Sequence, residues 1–334
     1  MDKDIKRTTI YDIARLADAS PSAVSSVLNG TWQKRRISKK LAARVMALAE
    51  AEGYSVNVQA SLLRRDRSNI VGMIVPKYDN RYFGAISEQF EEMARARGLF
   101  PIITCTQRDP ELEFEAAKEM LSYRVECLIS TGATDPDRIS AFCAASGVQT
   151  INLDLPGTLA PSVISDNYAG ARSLTSHILD RCVRDLGVET ALHFIGGRLS
   201  DHNTAARLQG FLDAHQSRGL SVPKTQILAS GYSALKAFRA LEPLVPDGPI
   251  GLFVNSTIAL EGVVRWYTAL APHLAQNLRY GCFDWDSFGA FLPGNVGMVE
   301  QDVRAMLEHA FALIGDTDNP KTPILVPCML RPIG

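Results

Sequence analysis

From Thr9 onward, apolar residues recur at helical spacing: Ile10, Ile13, Ala14 and Ala17 share one face. Thr9 followed three residues later by Asp12 has the form of a capping box and places a helix start there. The face runs out near Asp18-Ala19. Ser20-Pro21 restarts it, with Ser as N-cap and Pro at the first helical position. Ala23, Val24, Val27 and Leu28 make the next apolar face, and Asn29-Gly30 ends it. A polar loop over 31–37 carries Lys34, Arg35 and Arg36. Ser38 then caps a third helix, with Leu41, Val45 and Leu48 inward, that ends at Gly53. Two short helices joined by a tight turn, with a third packed across them, predict a helix-turn-helix unit.

The pattern changes at Asn69. Ile70–Val75 is a continuous apolar run, readable as a strand buried on both faces. Strands follow at 100–105, 127–130 and 150–153, with helix-periodic segments at 83–98, 111–122 and 137–146. The alternation then begins again. Helices are expected at 169–181, 203–218, 233–241 and 258–266, and strands at 191–195, 226–228, 251–254 and 279–283. Repeated βαβ units give parallel sheets covered by helices. Two successive sets give two lobes with a cleft between them. Ligands of such sheets bind beyond the C-terminal strand ends. The residues there are Asp79, Asn80, Tyr82 and Phe83 after the first strand, and Asp154 after the strand at 150–153. Gly196-Gly197-Arg198, Asn203 and Arg207 follow the 191–195 strand, Asn255-Ser256 the 251–254 strand, and Asp284-Trp285-Asp286 the last. Carboxylates, a guanidinium and an amide satisfy hydroxyls, and an aromatic face covers the C–H side of a sugar. Some of these residues have a second reading: Asp284 as a helix N-cap, Arg207 as a surface helix residue, Asp166 as a crossover cap, and Trp285 as a cover for the sheet.

Charge separates the two parts. The whole chain of 334 residues carries a net charge of -1, but residues 1–67 hold 13 basic and 7 acidic side chains, a net of +6. A basic head on an acidic body suits a protein in which only the head meets a polyanion. The six Cys form no CxxC pair and sit mostly in apolar runs, which predicts buried, reduced thiols. The scattered His give no zinc motif, and no cofactor or metal is expected. No apolar run approaches membrane-spanning length, and the first residues lack an apolar leader, so a cytoplasmic protein is expected.

The segment TIYDIARLADASPSAVSSVLNG, starting at Thr9, resembles the DNA-binding head of the lactose-repressor family, as does Gly53-Tyr54-Ser55-Val56-Asn57 after the third helix. The resemblance continues through SDNYAGARSL at 165–174, Arg207-Leu208-Gln209-Gly210-Phe211, Phe283-Asp284, Leu292-Pro293 and Glu300-Gln301. Within the family, VLNGTWQKRRIS, CTQRDPELE and FVNSTIALEGV are most similar to the fructose and sucrose repressor branch.

The resemblance implies an α/β fold, with an N-terminal helix-turn-helix head and a two-lobed, periplasmic-binding-protein-like body of parallel sheets flanked by helices. The head would occupy 1–57, a hinge helix and linker 58–68, and the effector-binding and dimerisation body 69–334. Lobe 1 would take about 69–166 with 298–324, and lobe 2 about 167–297 with 325–334.

For DNA, the resemblance implies that the second helix enters the major groove, with Pro21, Ser22 and Ser26 toward base edges and Ser20 also among the DNA-binding residues. Thr9, Tyr11, Ser25 and Asn29 would contact phosphates, Asn57 would also be among the DNA-binding residues, the basic loop Lys34, Arg35 and Arg36 would assist, and Arg64 would neutralise the backbone. Ala60 and Leu63 match the family's hinge helix, with Leu63 as the wedge that opens a base step in the minor groove. The family often has Arg where this chain has Ser26, and usually Asp where it has Ser256.

The implied activity is that of a homodimeric repressor on a palindromic operator, released by a sugar or sugar phosphate, with a fructose-type ketose favoured. The ligand would be held by Asp79, Asn80, Tyr82, Phe83, Asp154, Arg198, Asn203, Arg207, Asn255, Asp284 and Trp285. A ligand acting as co-repressor, a sugar-binding receptor and a sugar-processing enzyme are the other readings. No nucleophile–base pairing supports the last, and the helix-turn-helix argues against a receptor.

Overall fold

The computed structural model describes residues 8–54, 67–244, 248–316 and 322–334. Residues 1–68 and 69–334 form two separate compact units.

In the first unit, α1 (Ile10–Ala17) and α2 (Pro21–Leu28) are joined by a three-residue turn, and α3 (Lys39–Ala51) packs on both. Each start is built as the capping residues dictate. Thr9 and Asp12 form the complete reciprocal box, and Ser20 and Ser38 accept from the amides of Ala23 and Leu41. Asp18 stops α1 in the left-handed region (φ 49°, ψ 54°), a conformation that Asp tolerates better than most residues. The core is Ile13, Ala14, Ala17, Val24, Val27, Ala42 and Val45. The inner face of α3 is therefore Ala42, Val45 and Ala49, and the expected Leu41 and Leu48 sit half-buried at its margin. Small alanines face inward because three short helices leave little room between their axes. Trp32 and Ile37 pin the ends of the basic loop to this core.

The second unit contains two six-stranded sheets. The first has the order β2-β1-β3-β4-β5-β11: β1 (Ile70–Val75), β2 (Phe100–Cys105), β3 (Cys127–Thr131), β4 (Gln149–Leu153), β5 (Ser162–Ser165) and β11 (Ile324–Val326), all parallel. The second repeats the plan as β7-β6-β8-β9-β10-β12: β6 (His193–Ile195), β7 (Ile227–Leu228), β8 (Ile250–Val254), β9 (Leu278–Phe283), β10 (Asn295–Gln301) and an antiparallel edge, β12 (Cys328–Pro332). Central strands are buried along their whole length, as parallel strands covered on both faces must be. In chain order the helices are α4 (Arg81–Ala96), α5 (Pro110–Ser122), α6 (Pro136–Ala145), α7 (Asn167–Leu186), α8 (His202–Gln216), α9 (Ala234–Leu241), α10 (Thr257–Thr268), α11 (Pro272–Ala275) and α12 (Val303–Ala312).

The chain passes between the lobes three times. The first crossing is at Asp166, which caps α7 by accepting from Ala169. The second is at Asp302, which caps α12 by accepting from Ala305 in nearly the same backbone conformation (φ -72°, ψ 76° against φ -78°, ψ 80°). The third is at Pro327, between β11 and β12. The expected lobe boundaries shift accordingly. Met298 to Gln301 stay in the second sheet, because their backbone is paired on both sides, to β9 and β12. Leu325 and Val326 stay in the first, paired to β5. Strands β5, β10, β11 and β12 carry no strong apolar run, and neither they nor α12 are anticipated from the pattern.

No described helix is long and apolar enough to cross a membrane. Cys127, Cys143, Cys182 and Cys282 are buried and Cys105 and Cys328 half-buried, all as free thiols.

Helices α7 and α8 meet closely at Gly210, where a Cβ would lie 2.3 Å from the carbonyl oxygen of Tyr168. Gly210→Ala should push the helices apart at about 1–3 kcal/mol. That lowers the midpoint of the body's thermal transition by roughly 2–4 °C per kcal/mol. An unchanged midpoint in calorimetry would show that the helices can separate freely.

Candidate functional site

In the head, the residues expected at DNA divide into committed and available groups. Thr9 donates from both its backbone N–H (3.0 Å) and its hydroxyl (2.7 Å) to Asp12 Oδ2. Asn29 donates to the carbonyl (2.8 Å) and hydroxyl (3.2 Å) oxygens of Ser25. These hydrogen bonds place all three residues at helix ends. Ser26 donates to the carbonyl of Ser22 at 2.8 Å, and Ser20 is the N-cap of α2, its hydroxyl also 3.0 Å from that of Ser22. What α2 presents at its start is Pro21 and Ser22, both exposed. Tyr11 is 71 % exposed, and Lys34, Arg35 and Arg36 lie outward on a loop held by Arg35 N–H to Thr31 O and Ile37 N–H to Trp32 O. Asn57, Ala60, Leu63 and Arg64 lie outside the described residues.

In the body, the C-terminal ends of both sheets converge on one cavity between the lobes, where ligands of such sheets bind. Lobe 1 contributes Asn80, Tyr82 and Phe83 after β1, Arg108 after β2, and Asp154 and Leu155 after β4. Lobe 2 contributes Asp201, Asn203 and Arg207 at α8, Tyr232 after β7, Ser256 and Ile258 after β8, Asp284 after β9 and Gln301 at the end of β10.

Arg207 is 3 % exposed, which excludes the surface reading. Its Nε donates to Asn167 Oδ1 at 2.7 Å and its Nη1 to the carbonyl of Asn255 at 2.6 Å. Its guanidinium carbon lies 3.7 Å from the centroid of the Phe283 ring, and its Nη2 is 4.0 Å from Asp284 Oδ1. Gln301 Nε2 donates to the same Asp284 oxygen at 2.5 Å. Asp154 Oδ1 accepts from Tyr82 OH at 3.1 Å and, across the cleft, from Asn203 Nδ2 at 3.1 Å. Asn203 Oδ1 in turn accepts from Asn167 Nδ2 at 3.1 Å. One polar chain therefore runs from Tyr82 in lobe 1 to Gln301 in lobe 2. Asp154 and Asp284, which end β4 and β9, share the left-handed conformation (φ 73° and 74°). Asp286, not Asp284, accepts from the Phe288 and Gly289 amides of the following turn.

Burial pushes the Asp154 carboxyl up to about 6, against the opposing pull of Arg108 and Arg207. Burial also raises Asp284, again opposed by Arg207, and lifts the Tyr232 phenol to about 12. Burial lowers Arg207, but Asp284, Tyr232 and Asp154 more than offset it and hold the guanidinium charged. The Gln301 Oε1 atom is buried without a hydrogen-bond partner among the described residues.

Four expected ligand residues do not line the cavity. Asp79 is exposed and 3.9 Å from Lys77 Nζ. Arg198 is exposed, lying over the outer side of the site with its guanidinium 5.9 Å from the Tyr232 ring. Asn255 is fully buried and offers its carbonyl to Arg207 while its amide reaches Thr204 at 3.4 Å. Trp285 is 38 % exposed, one residue beyond the lining carboxylate. Arg108, Leu155, Asp201, Tyr232, Ile258 and Gln301 line the cavity without being anticipated from the sequence. Arg108 sits three residues past β2 and is open to the same strand-end rule. Tyr232 follows a two-residue strand, and Gln301 ends a strand that the pattern does not reveal. Among the described residues no cluster of His, Cys, Asp or Glu could hold a metal ion.

Comparison with known proteins adds to this geometry. A family model described as periplasmic binding proteins and sugar binding domain of LacI family matches residues 68–265. One described as bacterial regulatory proteins, lacI family, matches residues 9–57. The ribitol operon repressor of Klebsiella aerogenes is 61 % identical over 194 residues, covering 58 % of this chain and 72 % of that protein. The sucrose operon repressor of Klebsiella pneumoniae is 27 % identical over 330 residues, covering 95 % and 94 %. The expected likeness to the fructose and sucrose branch is thus real but more distant. The solved structure of the lac repressor dimer bound to operator and the anti-inducer ONPF has the same fold, with a TM-score of 0.78, 21 % identity and 98 % of both chains covered.

The raised carboxyl of Asp154 has a consequence for stability. An unfolded aspartate titrates near 3.8 and the folded one near 6, so the folded body holds the extra proton between those values. Its stability therefore falls as pH rises from about 4 to about 6. Asp154→Asn keeps an acceptor for Tyr82 and Asn203 and tolerates the left-handed backbone. It should stabilise the ligand-free body at pH 7.5 by up to the order of 3 kcal/mol, with the gain disappearing at pH 4. Urea unfolding at the two pH values tests this; equal stability at both would show an ordinary carboxylate.

Proposed function

The chain belongs to the lacI family of bacterial regulatory proteins, and from that premise we propose that it represses transcription from a palindromic operator as a homodimer and is released by a short acyclic polyol of the ribitol type. Its family makes it a DNA-binding repressor with a sugar-binding effector domain, and not an enzyme.

The observation that carries the choice of effector is the charge of the cavity. Three carboxylates (Asp154, Asp201 and Asp284) face two guanidiniums, and one of those, Arg207, is already tied to protein partners. Hydroxyl groups can donate to such carboxylates, whereas a phosphate dianion is repelled by them. This favours a neutral polyol over a sugar phosphate. The 61 % identity to a ribitol operon repressor supports five carbons over a ketohexose. The rings of Phe83, Tyr82 and Tyr232 give the carbon chain an apolar side.

On DNA, Pro21 and Ser22 at the start of α2 and the Tyr11 ring offer short contacts, so phosphate binding by Lys34, Arg35 and Arg36 carries a large share of affinity. Leu63 is proposed as the minor-groove wedge, with Ala60, Asn57 and Arg64 beside it. The polyol acts by binding the two lobe arrangements with different affinity, without which it would shift nothing.

Operator release followed by fluorescence anisotropy tests the reading. Ribitol should release wild-type protein, and Asp284→Ala should bind operator normally yet ignore ribitol. Tighter operator binding with ribitol would instead make it a co-repressor, and a response only to ketose phosphates would overturn the polyol. Separately, replacing Lys34, Arg35 and Arg36 with Ala should flatten the dependence of log affinity on log salt by about 0.9 for each phosphate that those side chains no longer neutralise. An unchanged slope would place those cations away from the DNA.

A further inference from the structure

The first residue of the body, Asn69, is held on both sides. Its N–H donates to Glu126 Oε1 at 2.8 Å, and its carbonyl accepts from Phe100 N–H at 2.7 Å. Glu126 holds the next residue as well, since its own N–H donates to Ile70 O at 2.8 Å. Phe100 opens β2, Glu126 immediately precedes β3, and Asn69 immediately precedes β1, so the three meet at the starts of adjacent strands. Asn69 is left-handed (φ 56°), a region that Asn enters more readily than most residues. The chain therefore enters the body through one kink, fixed by hydrogen bonds from the strands on either side.

The Glu126 bond lies outside the sheet's own pairing. The register of β1 with β3 begins at Val71 and Cys127, so the Asn69 N–H is beyond the backbone ladder, and a side chain supplies its acceptor. An ionised carboxylate makes that hydrogen bond stronger than a carbonyl would. Arg124, left-handed as well (φ 56°), turns the chain out of α5 two residues before Glu126. The opposite end of β1 leads to the cavity, through Asn80, Tyr82 and Phe83. Six residues of β1 span about 20 Å, and β1 and β3 are buried along their whole length. Close-packed strands of this kind transmit a displacement and do not absorb it. A movement of lobe 1 at the cavity thus arrives at Asn69, and whether it goes further along the chain depends on how firmly Asn69 is held.

We propose that Glu126 is a positioning residue for operator recognition, which holds the backbone at Asn69 so that lobe 1 and the DNA-binding segment are joined without slack. Free rotation at Asn69 would add conformations that specific binding has to freeze out, at a cost in affinity. Non-specific attraction of the basic head to phosphates needs no such fixed geometry. The clamp therefore acts on the preference for operator over other DNA, and on the release that an effector brings about. It acts through the Asn69 backbone and touches neither DNA nor effector.

The test is fluorescence anisotropy of the full chain on operator and on a scrambled duplex of equal length, for wild type, Glu126→Ala and Glu126→Gln. Ribitol affinity without DNA and the thermal midpoint of the body are measured alongside. Glu126→Ala should lose at least fivefold in the ratio of operator to scrambled affinity, and ribitol should change its operator affinity by a smaller factor than in wild type. Its ribitol affinity without DNA should stay within twofold. Glu126→Gln, whose carbonyl accepts the same N–H, should keep the ratio within twofold of wild type. An unchanged ratio in the Ala variant, an equal loss on both duplexes, or a Gln variant no better than Ala would each overturn the proposal. A loss of ribitol affinity and thermal midpoint in step with the ratio would make Glu126 a support of the body alone, which overturns it too. A wild type that ignores ribitol would sink the polyol reading above, and the duplex ratios would still decide this one.

Discussion

A guanidinium taken out of water costs several kcal/mol unless its donors and charge are met by the protein. Arg207 meets that condition, and much of the body is arranged by it. Its partners come from four places: Asn167 at the first crossing between the lobes, the Asn255 carbonyl just after β8, the ring that ends β9 and the carboxylate just after it. Holding one side chain therefore fixes the relative positions of two strand ends, a helix start and a crossing point. Gly210 lies three residues further along the same helix, where α7 and α8 touch backbone to backbone, so the helix that carries Arg207 has no freedom to slide.

From that anchor the polar chain reaches the other lobe through Asn203 and Asp154. The chemistry of the cavity follows. Its acceptors are buried carboxylates whose pKa desolvation raises, and its one uncommitted cation among the described residues is suspended between two rings. The proposed polyol would meet such a site with a string of hydroxyls, each able to donate to one wall and accept from another. Because the walls belong to different lobes, satisfying one molecule's hydroxyls and setting the angle between the lobes are a single event. The matched backbone at Asp166 and Asp302 means that any such rotation is taken up at equivalent points of two crossings.

The head is legible in the sequence because its signals are local. Thr9, Ser20 and Ser38 are caps whose partners lie three residues away, so spacing alone reveals them. The central strands are legible because burial on both faces leaves an unbroken apolar run. Asp154, Asn203, Arg207 and Asp284 follow from the rule that ligands sit past strand ends. What stays hidden depends on partners far along the chain. β10 contains Asn295, Gly297 and Gln301 and is a strand only because β9 and β12 flank it, so Gln301 leaves no local signal. Asn255 occupies a strand end yet points its function inward, to Arg207, and no spacing distinguishes that from a residue facing a ligand. Thr9 and Asn29 also hydrogen-bond within the helices that display them, which spacing shows for Thr9 and does not show for Asn29.

The sheets are completed from the far end of the chain: β11 closes the first and β12 the second, over Ile324–Val326 and Cys328–Pro332. During synthesis the head can be finished early, since domains fold as units from the N-terminal side. Neither lobe can be, because both wait for the same short stretch of late residues. A chain broken off before residue 324 would leave β5 and β10 as open edges in one molecule, and bare edges invite pairing between chains. Nonsense mutations late in the reading frame would thus yield aggregates and degradation products in place of a shortened repressor that binds its operator and is deaf to its signal.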